Sequence, residues 1–139
     1  MAKDISHELK VTQSQIPVAI AGAKTFTTID TAGFESTMFV FNIGDCDGSA
    51  SAAFHFHAGN TTADVDVDDA DLETNGLIGT TNTARTAQPY TLGVSDDNQI
   101  ITVQYKGSKR YVVPIWAYSA GTIYLGCFAV QSFARHPPR

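Results

Sequence analysis

The apolar residues of this chain recur with a period of two, and that confines most of it to β-strands. In "SAAFHFHA", residues 51–58, Phe54 and Phe56 take one face while His55 and His57 take the other. This is the alternation of a strand with one side on a core. "STMFVFNIG", residues 36–44, is a near-continuous apolar run, as expected of a strand covered on both faces. "KTFTTID", "QIITVQY", "RYVVPIWAY" and "TIYLGCFAVQSF" add further β-branched and aromatic segments of strand length. Helical turns are limited to the short "DISHEL" and "DDADLE".

Turn residues divide these strands. "YKGSKRY" reads as a tight turn joining two of them as a hairpin, with Gly107 at a position of positive φ, and "SAG" at Ser119–Gly121 joins the next pair in the same way. Pro114 removes a backbone donor, which places it on an edge strand or at a bulge. A chain of 139 residues suffices for one core without disulfide or metal staples. The expected fold is therefore all-β, a single-domain β-sandwich or jelly-roll-like barrel with extended terminal arms. Its parts are an N-terminal arm over 1–16, a domain over 17–132 with a long polar loop at 73–95, and a C-terminal tail over 133–139.

Apolar residues make up 43% and charged residues 17%, the balance of a globular chain. The absence of a long apolar run argues against a membrane partner, and "MAKDISHELK" lacks the apolar centre of a signal peptide, so a cytoplasmic origin is expected. Cys46 in "GDCDG" and Cys127 in "TIYLGCFAV" read as reduced, structural thiols. The net charge of −5 is unevenly spread. Between Asp45 and Asp97 ten acids face one base, Arg85, whereas Asn98 to Arg139 holds five bases and no acid. Such polarity can guide association between copies. The basic part is small and carries no recognised motif, which argues against direct nucleic-acid binding.

Chemical constellations are weak. His55 and His57 share a strand face and could ligate an ion with a third ligand from Asp64, Asp66 or Asp68. Core packing of Phe54 and Phe56 already explains the alternation, so a solvent-tolerant face is the favoured reading of the histidines. "DVDVDDADLETN" fails as an EF-hand, because Asp69 stands where glycine is needed and Asn75 where the bidentate glutamate should be. No nucleophile elbow, phosphate-binding loop or dinucleotide fingerprint occurs. No catalytic residue, cofactor or firm metal ligand is therefore assigned, and no enzyme is expected. Tyr105, Tyr111, Trp116, Tyr118 and Tyr124 could form a sugar-stacking platform, although packing is the commoner use of such rings.

The chain carries several motifs in a fixed order. "KVTQSQIPVAI" leads to "IDTAGFESTMFVFNIG", then "DVDVDDADL" and "LIG", then "VQYKGSKRYVVP", and last "ARHPPR". This order resembles small virion-associated proteins of tailed phages and prophages, most of all capsid decoration (cement) proteins. The resemblance implies a non-enzymatic protein, made in the host cytoplasm and placed on the capsid exterior. It would clamp adjacent major capsid proteins, as a homo-oligomer with a trimer favoured. A head-tail connector, a head-fibre base or a tail component stay open, as does a carbohydrate-binding module from a different class. The partner-contact candidates are Lys3, Lys10 and Ile16 in the arm, Lys106, Lys109 and Arg110 in the turn, Arg135 and Arg139 in the tail, and the acidic Asp64, Asp66 and Asp68. Arg110 beside Tyr111 is expected to anchor the turn, since arginine bridges carboxylates and stacks on rings.

Overall fold

The computed structural model describes residues 9–63, 65, 77–78, 90–105 and 107–133, which form two antiparallel sheets packed face to face. The strands are β1 (Leu9–Ile20), β2 (Lys24–Thr25), β3 (Ile29–Asp30), β4 (Phe34–Cys46), β5 (Ser51–Gly59), β6 (Leu77–Ile78), β7 (Tyr90–Gly93), β8 (Ile100–Tyr105), β9 (Tyr111–Ala120) and β10 (Ile123–Phe133). Sheet A has the order β1-β10-β4-β8-β6, and sheet B the order β2-β9-β5-β7, with β3 also on β9. Counting β2 and β3 as one interrupted strand and setting aside the short β6, this is the strand order of a jelly roll.

Alternation places the core. Phe54 and Phe56 point inward from β5, are 1% and 0% exposed, and meet Phe41 and Phe39 of β4 at ring separations of 4.5 and 5.0 Å. Trp116 of β9 lies opposite Phe54 and stacks on Phe26 at 6.4 Å. Burial of each such side chain contributes about 1.5–3 kcal/mol. β4 is flanked by β10 and β8, and Val40 on its outer side is also buried, which accounts for its unbroken apolar run. Pro114 sits in β9 where the flanking strand is interrupted between Thr25 and Ile29. Its carbonyl accepts from the Phe26 N–H at 3.1 Å, so its missing N–H faces that gap and no ladder bond is lost.

Two connections differ from the sequence reading. "YKGSKRY" is not a hairpin, because β8 pairs with β4 and β6 in sheet A while β9 pairs with strands of sheet B. A link of this length reaches about 16 Å when extended, more than the ~10 Å between packed sheets. Gly107 answers a need for space there: a Cβ would lie 2.5 Å from the buried Tyr105 ring. The Tyr105 hydroxyl accepts from the Lys109 N–H at 2.9 Å and lies 3.1 Å from the Lys109 carbonyl, to which it donates, fastening the link. "SAG" likewise carries the chain from sheet B to sheet A rather than closing a hairpin, with Gly121 at φ 69° pressed against the Ala50 backbone. Turn chemistry is alike in a hairpin and in a crossing between sheets.

The boundary of the arm also moves. Leu9–Gln13 pairs with β10, and Ser14 bonds Thr27 twice, its carbonyl accepting from the Thr27 N–H at 2.9 Å and its hydroxyl donating to the Thr27 carbonyl at 2.8 Å. Leu9–Ile16 thus belongs to the edge strand of sheet A rather than to an arm. Phe133, the first residue of the expected tail, is the last of β10. Register shifts around Gln15, followed by Pro17, interrupt this edge, a device that discourages strand addition. Residues 1–8 and 134–139, "DDADLE", and the 73–95 loop except β6, β7 and the 3-10 turn Val94–Asp96 lie outside the described residues.

Candidate interaction surface

His55 and His57 project from the outer side of sheet B, with rings 5.0 Å apart and nearly parallel at 24°. Their same-face neighbours on β9 are Ile115 and Val113, which supply no ligand. Among the described residues no three His, Cys, Asp or Glu side chains gather to hold a metal ion. Asp64, Asp66 and Asp68 lie outside the described residues. The thiols are buried and unbridged. Burial pushes Cys127 well above the ordinary thiol range, and burial with the nearby Asp97, Asp96 and Asp45 raises Cys46.

The charged candidates are spread over the surface. Lys10 lies over the Phe34 ring, 5.5 Å from its centroid, and Phe34 packs on Phe133 at 4.8 Å. Ile16 is 59% exposed on the β1 edge. Lys109 serves the inter-sheet link through its backbone. Lys3, Lys106, Arg135 and Arg139 lie outside the described residues. Three of the described acids are engaged within the chain: Asp97 accepts from the Cys46 N–H, Asp47 from Ser49, and Asp96 from the Gly93 N–H.

Arg110 grips Asp30 with two parallel bonds, Nε to Oδ1 at 3.0 Å and Nη2 to Oδ2 at 2.8 Å, and lies 4.9 Å over the Tyr111 ring. The hydrogen bond from Arg110, reinforced by the Ala32 N–H, holds the Asp30 carboxyl down from 3.8 to about 2. A depressed carboxyl contributes stability above its unfolded-state value, and that contribution is lost as pH falls through the folded value. The Asp30→Asn variant should therefore be less stable than wild type near neutrality, with the gap closing between about pH 4 and about pH 2. Urea unfolding across that range measures it.

A cleft of about 430 Å³ opens at one end of the sandwich beside Phe34, Glu35 and Tyr105. Several of its hydroxyls are already engaged. Ser36 bonds Ser132 at 3.0 Å, and the Thr31 hydroxyl donates to the Arg110 carbonyl at 2.8 Å. The C-terminal aromatics do not form one platform. Tyr105 and Trp116 are core residues at 4% and 1% exposure, whereas Tyr111 lies on the outer side of sheet B and Tyr124 on that of sheet A.

The outer side of sheet A has a different character. Register aligns Val11, Val130, Met38 and Gln104 in one row across β1, β10, β4 and β8. The adjacent row is Gln13, Phe128, Val40 and Thr102. Leu9 flanks the first row, and Asn42 with Ile100 flanks the second. None of these side chains is charged, and Val11 and Ile100 are 64% and 65% exposed. The sequence reading missed this surface, because it followed charge along the chain. Alternation in each strand was visible, but the face exists only once four distant segments are placed in register.

No protein-family model and no curated protein matches the chain.

Proposed function

We propose that this chain is a capsid decoration protein of a tailed phage, which binds across adjacent major capsid proteins and stabilises the DNA-filled head without catalysing a reaction. The observation that carries this reading is the ordered likeness running from "KVTQSQIPVAI" through "VQYKGSKRYVVP" to "ARHPPR". The architecture suits the role. Jelly rolls build viral capsid and lectin domains alike, so the fold supports a binding role without choosing the partner. Dispersal of the exposed aromatics disfavours the sugar-platform alternative. Two packed sheets make a stiff body, and a ligand that binds only the assembled shell stabilises it by mass action.

The rival within the same class is a connector, fibre base or tail component, and copy number separates them. Quantitative gel densitometry of virions should find this chain in amounts comparable to the major capsid protein. A level of about a dozen copies per particle, as a ring at one vertex requires, would assign it to the connector.

A further inference from the structure

We propose that the outer face of sheet A is where a second copy of this chain docks, sheet face on sheet face about a two-fold axis. Three observations carry the inference. The first is charge. Among the described residues the part of the face made by Leu9–Gln13, Ser36–Asn42, Ile100–Gln104 and Gly126–Ser132 directs no ionised side chain outward, and Asp45 stands beyond its end, while the chain as a whole carries −5, so this is where two copies can meet without stripping water from ions or opposing like charges. Sheet B offers no such place, since its outer side carries the Asp30–Arg110 pair.

The second is area. From Gly126 to Ser132 the face is about 24 Å long, and four strands make it about 19 Å wide, roughly 450 Å² of flat surface per copy. Side chains corrugate that surface, so a pair buries on the order of 1,000 Å², the size at which specific interfaces begin. The third is shape. Phe128, Val130, Met38 and Val40 form a central apolar strip with Gln13, Gln104 and Asn42 around it, the arrangement of an interface core and polar rim. Aligned sheet-on-sheet packing is the same contact that joins sheets A and B within the chain. A face matched to itself closes at two copies, which departs from the trimer expected from the resemblance.

Light scattering coupled to size exclusion tests this on the full chain at high micromolar concentration. The comparison is between wild type, the double variant Val11→Asp/Ile100→Asp, and Val94→Asp as a control. Val11 and Ile100 are exposed, so the substitutions leave the core intact, and circular dichroism with thermal unfolding verifies it. Val94 is 48% exposed but lies in the 3-10 turn, off the face. The expected wild-type mass is twice the 14.9 kDa chain. The double variant should run as a monomer, its dimer Kd raised at least about a hundredfold, since aspartates would be buried unpaired. Val94→Asp should remain a dimer. A monomeric wild type would assign the face to a different protein and overturn the proposal. So would a trimer, a dimer that survives the double variant, or one that Val94→Asp also dissociates. None of these outcomes depends on whether the chain binds phage heads.

Discussion

Phe41→Ala should lower the free energy of unfolding by about 3–5 kcal/mol, a large part of the 5–15 kcal/mol that a domain of this size possesses. Phe41 is fully buried and sits where the two sheets meet. Its ring lies 4.5 Å from Phe54, 6.1 Å from Phe56 and 6.4 Å from Phe26, so truncation removes contacts to β5 and to the link between β2 and β3 together. The surrounding rings are held by strands on both sides and cannot collapse into the space, which is the condition under which a cavity costs most. Urea unfolding should show a lower midpoint with an unchanged slope. Phe133→Ala provides the contrast. That ring is 45% exposed and rests mainly on Phe34, so the loss should be about 1 kcal/mol or less.

The second large effect concerns the N-terminal segment. Removal of residues 1–16 should destabilise the fold by on the order of 3 kcal/mol or more, because it takes away the first two thirds of β1. The truncation leaves the outer edge of β10 unpaired from Cys127 to Ser132 and breaks both bonds between Ser14 and Thr27. It also uncovers Ala129, which is fully buried and faces Thr12. A cut after residue 8 removes none of the described pairs and should lower the unfolding midpoint by less than removal of 1–16. Parallel thermal unfolding of the two truncations measures the difference. For shell binding the consequence is practical: a deletion meant to remove a reaching segment must stop at residue 8, since a loss of binding after removal of 1–16 would report a damaged sheet.

Particular residues show how much of this was legible beforehand. Period-two alternation identified β5 and its inward pair Phe54 and Phe56, whereas the near-continuous run in β4 reads as a strand covered on both faces, and on its outer side Val40 alone of Ser36, Met38, Val40 and Asn42 is buried. Arg110 beside Tyr111 suggested a bridge and a stack, and Asp30 supplies the carboxylate. Three features were not legible. "YKGSKRY" and "SAG" carry turn chemistry that serves a hairpin or a crossing equally well, and only the pairing of β9 with β5 decides between them. "KVTQSQIPVAI" is polar and irregular because β1 is an edge strand with two register shifts, and those same features resemble an arm. The uncharged face of sheet A is assembled from residues 9–13, 36–42, 100–104 and 126–132, each unremarkable alone. Charge counted by segment drew attention to lysines, arginines and aspartates instead, and several of these proved to be spent on turns and links within the chain.

Reconstruction of an intact particle decides whether the chain decorates the head. As a decoration protein it should lie on the outer surface of the head, repeated over the shell on the order of hundreds of times, with each copy spanning the seam between neighbouring major capsid subunits. Density for the chain at a single vertex or along the tail, or its absence from the head surface, would contradict that role.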